Sequence, residues 1–319
     1  MLSTDVAVTW DHYAYNSGFF VLKPTNVSKR LYYMMPSINV RHPAADDQKT
    51  LNIAIKVLKK LGVRLNITTL NKQRFPCAVD YFEKAGRRFA PKDGEQCNQQ
   101  QNDCAVVIHN NWMVTKEAKV YRFREHLMWM YDGDDEYYSS STRFYLTYIN
   151  QAPTYPRNSS STHEQTAIIL SEISALKTAM TIGYLLNRTV ILPRFHAEQS
   201  VVESPLNSVL HVKSFDDEFS GKYRENSFLR HPKVPIEVKS RLLSNRAQKL
   251  KLFRKQSFLS ADDIKRHFGH INDRVLEMGS LHNVTVVLKN SSEDVQFNKK
   301  LSRAFYHSDY RQYKRYNPW

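Results

Sequence analysis

Four short clusters in this 319-residue chain carry side chains able to do chemistry. They are Asn16-Ser17-Gly18-Phe19-Phe20; Asp47-Gln48 with Asn52; Phe75-Pro76 leading to Tyr81-Phe82; and His109-Asn110-Asn111-Trp112, followed by Lys119, Arg122, Arg124 and Glu125. An imidazole at a strand end can ligate a divalent metal, basic side chains can hold a diphosphate, and a carboxylate can accept from a sugar hydroxyl. Each cluster alone also has a plainer reading. Asn-Ser-Gly is a common turn. Asp47 suits the positive amino end of a helix, His109 suits a hydrogen-bonded core position, and Lys119 to Arg124 suit an ordinary charged helix face.

The elements that must position these residues follow from hydrophobic spacing. Residues 18–22 (GFFVL) form a buried-strand candidate. Residues 27–35 are expected to be helical and to stop before Pro36. In 46–61, Leu51, Ile55, Leu58 and Leu61 share one helical face, with an acidic pair at its start and Gly62 at its end. Val63, Leu65 and Ile67 then alternate with polar residues, as in a strand with one wet face. The run 104–108 (CAVVI) predicts a buried strand with His109 at its carboxyl end, the edge where open α/β sheets bind ligands. A basic helix is expected over 116–129, a polar linker over 150–163, a long apolar helix over 164–186 and a strand over 189–192. The alternation is that of an α/β fold, with domains expected at 1–149 and 164–319.

The formal net charge is +15, which favours polyanions, anionic membrane surfaces or a diphosphate substrate. A basic run over 239–255 reads as a solvated helix face or a binding patch. The basic residues form no recognition helix or nucleic-acid motif, so nucleic acid is not an expected partner. No stretch approaches the roughly 18 apolar residues of a membrane span, and the first residues lack the features of a signal peptide. Cys77, Cys97 and Cys104 show neither a CxxC pair nor zinc-like spacing, and leave room for one disulfide and one thiol. Asn26, Asn66, Asn158, Asn187, Asn283 and Asn290 begin N-x-[ST] sequons.

Taken in order, NSGFF, DDQxxxN, FPxxxxYF, HNNWxxxxxxK, RFRE and W resemble the nucleotide-diphospho-sugar transferase family, which includes glycosyltransferase family 77 and its animal relatives. The resemblance covers roughly residues 10–138. It implies the carboxyl-terminal part of a GT-A mixed sheet and a retaining, metal-dependent glycosyltransferase. Such an enzyme moves a sugar from a nucleotide-sugar donor to a glycan or glycoprotein hydroxyl, usually as a type II membrane protein of the Golgi lumen. Residue by residue, it places Asn16, Gly18, Asn52 and Lys119 at the donor, Asp47 and Gln48 near the sugar and acceptor, and His109 on a Mn²⁺ ion. Arg122 and Glu125 match the basic–acidic helix that follows. Thr115 and Ala78 stand where the family usually has glycine.

The resemblance also implies a member shortened at its amino end. Only about fifteen residues precede NSGFF, and no long apolar strand is expected before Asp5 or Asp11. Asp132-Gly133-Asp134-Asp135 follows a basic helix and is not read as a metal-binding DxD. These 319 residues alone are therefore expected to bind donor weakly and respond little to Mn²⁺, with any membrane anchor lying upstream. The segment SALKTAMTIGYLLNRTVILP resembles a helix–strand found after the catalytic domain in some members, and one of fucosyltransferase-like proteins. It is read as part of a packed accessory domain. A competing class is a non-catalytic lumenal relative that binds glycans or polyanions.

Overall fold

The computed structural model describes residues 4–11, 13–84, 105–111, 113, 115–130, 136–151, 162–195, 206, 209–239 and 258–306. Cys97, Cys104, Trp112, Asp132 to Asp135, Asn158, and most of both the expected linker and the 239–255 run lie outside them. The chain divides into two compact units, 1–113 and 114–319.

The first unit is built on a mixed three-stranded sheet in the order β2-β1-β3. β1 (Val6–Asp11) pairs antiparallel with β2 (Ala14–Leu22) and parallel with β3 (Ile67–Thr69). No long apolar strand was expected before Asp11, and β1, which ends on it, is six residues long. Val6 and Val8 are fully buried while the intervening Ala7 is not, as in a strand whose side chains alternate between faces, and Thr9 and Asp11 at its bulged end are buried as well. β2 is longer than expected and lies at the sheet edge, so its apolar residues are mostly half-buried and Val21 is exposed.

α1 (Asn26–Arg41) runs through Pro36 instead of stopping before it. Pro36 lacks an N–H to donate within the helix. The helix nevertheless persists. A reciprocal Thr25–Ser28 capping box fixes its start, and Leu31 and Ile38, on either side of the proline, are buried in one core with α2. α2 (Asp47–Lys60) has Asp46 as its amino-terminal cap, and Gly62 follows it at φ 71°. Leu51, Ala54 and Leu58 face the core, while Leu61 lies outside it, 57% exposed.

The expected buried strand at 104–108 does not form among its described residues. Val106 is 56% exposed, and the amides of Val106 and Val107 turn to the Arg74 carbonyl. Only His109 makes a β-bridge, to Cys77. Pro76 precedes Cys77 and has no N–H, which stops the ladder there. Val79–Lys84 follows as a π-helical turn, a form frequent at functional sites.

The second unit contains the parallel sheet β6-β5-β4-β8. Its strands are β4 (Tyr145–Ile149), β5 (Thr189–Ile191), β6 (Tyr223–Arg224) and β8 (Val275–Ser280). β7 (Phe258–Ser260) and β9 (Thr285–Val287) form a separate parallel pair. α3 (Lys116–Glu125) packs on α6 (Val212–Phe219), which packs on α8 (Ser292–Phe305), and α4 is the single turn Glu136–Ser139 ahead of β4. α5 (Thr162–Leu185) carries Ile168, Ile173, Leu176, Ala179 and Ile182 into the core and packs on α7 (Ala261–Phe268). α5 and β5 agree with the helix–strand expected from sequence. α3 and β4 lie in this unit.

Candidate active site

The site in the first unit begins with an irregularity in a strand pair. Val8 of β1 opposes Phe20 of β2, but the next residue, Thr9, opposes Asn16. Residues 17–19 therefore leave the ladder as a bulge, a device that re-aims side chains. Ser17 Oγ donates to Asp47 Oδ2 at 2.8 Å, tying the bulge to the first turn of α2. Phe19 stacks on Phe75 at 5.4 Å between ring centroids. Gly18 is left under the His109 imidazole: a Cβ there would overlap Cε1 and Nε2 and lie 2.6 Å from Nδ1. Only a residue without a side chain admits this approach.

Asp11, at the end of β1 and 3% exposed, is the hub beside the bulge. Its Oδ2 accepts from Asn16 Nδ2 and from Asn111 Nδ2, both at 3.0 Å. Asn16 Oδ1 in turn accepts from the Gly18 amide at 2.7 Å. Asn111 Oδ1 accepts from the Ala78 amide at 3.0 Å, and the His109 amide donates to the Pro76 carbonyl at 3.1 Å. One carboxylate thus fixes the bulge and the 109–111 segment, a hundred residues apart in the chain. Cys77 donates its thiol hydrogen to Asp80 Oδ2. Burial pushes that thiol up to about 12, so it stays neutral at physiological pH.

Asn52 is spent on architecture. Its amide exchanges hydrogen bonds with the Tyr15 backbone and donates to the Gln48 carbonyl. Asp47 is exposed and Gln48 half-exposed at the start of α2. Asn16, Gly18, Asp47, Asn52 and His109 are therefore linked through the bulge and its neighbours. Asp11 is a hub that the sequence analysis did not select, and Asn111, though within the HNNW cluster, had no role of its own there. The signal for Asp11 was the Val6, Val8 alternation running into it.

Residues 1–123 match a family model described as nucleotide-diphospho-sugar transferase. The match spans the whole of the first unit. The match supports a glycosyltransferase-like function, with a nucleotide-sugar donor and a glycan acceptor implied in general terms. No curated protein and no solved structure matches the chain.

The two positions where the transferase family usually has glycine have local roles here. Ala78 is fully buried, with its amide on Asn111. Thr115 caps α3, its side chain accepting from the Ala118 amide. Lys119 lies half-buried on α3, in the second unit. On the same helix Arg122 is 1% exposed and Glu125 is 7% exposed. Arg124 lies 3.9 Å from the Tyr137 ring centroid, as Arg224 does at 4.0 Å, and the Tyr137 hydroxyl donates to Glu225 Oε2 at 2.7 Å. Two of the basic residues of α3 therefore sit within the second unit's packing.

Among the described residues, no three His, Cys, Asp or Glu side chains converge to hold a metal ion. His109 alone does not make the shell of oxygen ligands that a hard divalent cation needs.

Proposed function

We propose that the first unit is part of a retaining glycosyltransferase site that takes a sugar from a nucleotide-sugar and delivers it to a glycan or protein hydroxyl. The observation that carries this reading is the bulge at Ser17–Gly18, which leaves backbone bare beneath the His109 ring and ties Ser17 to the exposed carboxylate of Asp47. The bare backbone lets the imidazole seat against the bulge, and an accessible carboxylate accepts from sugar hydroxyls. In this reading Asn16 and Gly18 border the donor sugar, while Asp47 and Gln48 meet the sugar and acceptor. Mn²⁺ belongs to the reading through the family resemblance, with His109 as one ligand. The described residues do not complete its shell, and the roles given to Asp47 and Gly18 do not depend on it.

The Golgi lumen, with a type II anchor in the full-length protein, is part of the same proposal. It is supported by three sequon asparagines, Asn187, Asn283 and Asn290, which are exposed in turns at φ 48°, 63° and 64°. Glycan carried on these turns would be seen as a mobility shift on peptide-N-glycosidase treatment of protein from a secretory host.

Ala78 and Thr115, where the resemblance expects glycine, favour a second reading, a lumenal glycan- or polyanion-binding relative without turnover. Nucleotide-sugar hydrolysis with and without Mn²⁺ separates the two. Release of nucleoside diphosphate that Asp47→Asn abolishes supports the transferase. Glycan binding with no release from any donor supports the binding protein.

A further inference from the structure

The second unit holds a cavity of about 810 Å³, within the size range of ligand sites. It lies at the amino ends of three parallel strands. Phe144 precedes β4, Arg188 precedes β5 and Lys222 precedes β6, and all three line it. Open parallel sheets bind their substrates at the other edge, beyond the carboxyl ends. There Asn150 bonds to the Arg194 carbonyl, to Glu172 and to His282, and His282 bonds to Ser171.

One lining residue is itself a point of attachment. Asn187, with Arg188 and Thr189, reads N-x-T, and it sits at φ 48° in the turn from α5 to β5. The turn is firmly held. The Arg188 amide donates to the Gly183 carbonyl at 2.8 Å, and the Arg188 guanidinium donates to the carbonyls of Tyr145, Ile271 and Asp273. Gly183 lets α5 come this close: a Cβ there would lie 2.8 Å from Val190 Cγ2 and 2.9 Å from the Arg188 carbonyl oxygen. Arg188 and Thr189 are buried. Asn187 is exposed, and its carboxamide takes part in no hydrogen bond among the described residues. A fixed turn thus offers a free carboxamide at the cavity's edge.

The lining indicates what would fit. Buried beneath are aromatic rings: Tyr184 stacks on Phe297 at 4.3 Å between centroids, and Phe219 packs on Phe297 at 5.9 Å. Around them lie exposed polar groups, with Gln296 and Lys300 on α8 and Lys222 before β6. Besides Arg188, whose guanidinium lies on three carbonyls, the lining sets Arg143, Lys222 and Lys300 against Glu136, Glu218 and Glu293. That near balance gives an anion little advantage. Rings beneath a few hydrogen-bonding groups suit a neutral ligand with apolar faces and polar edges, such as a pyranose.

We propose that Asn187 carries an N-linked glycan whose first sugars lie in this cavity and cover the amino edge of the sheet. The inference rests on the lumenal reading of the protein and adds a seat for one particular glycan. In the attachment, Asn187 Nδ2 bonds to C1 of the first N-acetylhexosamine as the bond from C1 to a lipid-linked diphosphate breaks, and the proton lost from nitrogen leaves with the diphosphate. Thr189 is 5% exposed within β5, so the sequon is readable only before β5 joins the sheet, and the glycan is in place while the unit folds. Asn283 and Asn290 are also exposed in turns but do not line the cavity, so their glycans stand in solvent.

The test secretes the full chain, behind an added signal sequence, from a host that leaves its glycans rich in mannose. Glycopeptide mass spectrometry reads the occupancy of each sequon, and release by endoglycosidase H is timed at each before and after denaturation. A seated glycan must first open, so release at Asn187 is expected to be roughly tenfold or more slower than at Asn283 or Asn290 in the native chain. After denaturation the difference should vanish. Equal native rates overturn the proposal, as does an unmodified Asn187 beside a glycan at Asn283 or Asn290. If none of the three is modified, the lumenal reading fails together with the inference. Hydrogen exchange separates a seated glycan from one that is merely hindered. The comparison is with Asn187→Gly, which removes the sequon and keeps the turn, because glycine accepts positive φ. Slower exchange in the glycosylated chain at 184–188, 219–222 and 293–297 supports the seat, and unchanged exchange there overturns it.

Discussion

The two units place polar side chains in opposite ways. In the first, a short mixed sheet breaks its own ladder, and the break supplies the site: residues 17–19 leave the pairing, with Ser17 reaching Asp47 and Gly18 receiving His109. In the second, a regular parallel sheet keeps its ladder, and the polar groups gather from separate strand ends, at Asn150, Arg194 and His282. An irregular strand concentrates its chemistry in a few consecutive residues, whereas a regular sheet disperses it along the chain.

If that contrast is right, the largest effect falls on the hub of the first unit. Asp11→Ala removes the acceptor of two side-chain amides, one from each segment it ties. Hydrogen bonds to a charged group contribute about 1.5–3 kcal/mol each, so a loss of about 3 kcal/mol is expected in urea denaturation. A loss below about 1 kcal/mol would mean that the 109–111 segment is held by other contacts.

A somewhat smaller effect is expected at the bulge. Gly18→Ala forces a methyl group into the His109 ring, and overpacking of this kind costs about 1–3 kcal/mol. The same substitution made with His109→Ala should cost less than the sum of the two single changes, because the clash has been removed. Strict additivity in this double-mutant cycle would contradict the close approach.

The smallest effect distinguishes the units by pH. In the first, the Asn66 amide and the Thr25 hydroxyl hold Asp5 below its ordinary value of 3.8. Its contribution is present above that value and is lost as pH falls through the lower folded one. In the second, burial holds Glu225 above its ordinary 4.5. Its folded form binds the proton more tightly, so stability declines as pH rises from 4.5 through the raised value. Hydrogen exchange of the amides around each group, corrected for intrinsic rates, should show these two opposite contributions between about pH 3 and 6. Asp5→Asn should flatten the first trend and Glu225→Gln the second.

The same contrast explains what the sequence disclosed. NSGFF and DDQ were legible because the bulge and the start of α2 hold their chemistry in contiguous strings. α2, α5 and β5 were legible through spacing and terminal signals. Asp11 was not selected, because its role depends on Asn111 arriving from a hundred residues away. The apolar run before His109 read as a buried strand, but its partner segment contains Pro76, which has no amide to extend the bridge. Arg122 and Arg124 read as a solvated face or a diphosphate clamp. Arg122 is buried, and Arg124 stacks on Tyr137 while its carbonyl accepts from the Ser227 hydroxyl, partners that no local pattern joins to α3. The cluster around Asn150 was hidden for a similar reason, since its members are scattered from 150 to 282.

The most direct measurement is nucleotide-sugar binding to the full chain by saturation-transfer NMR, comparing wild type with Gly18→Ala and Asp47→Asn. At least one nucleotide-sugar should bind, with its sugar protons saturated in wild type and that saturation lost in both variants, while circular dichroism shows the fold retained. Sugar-proton saturation that persists in both variants would contradict a donor site at the Ser17–Gly18 bulge.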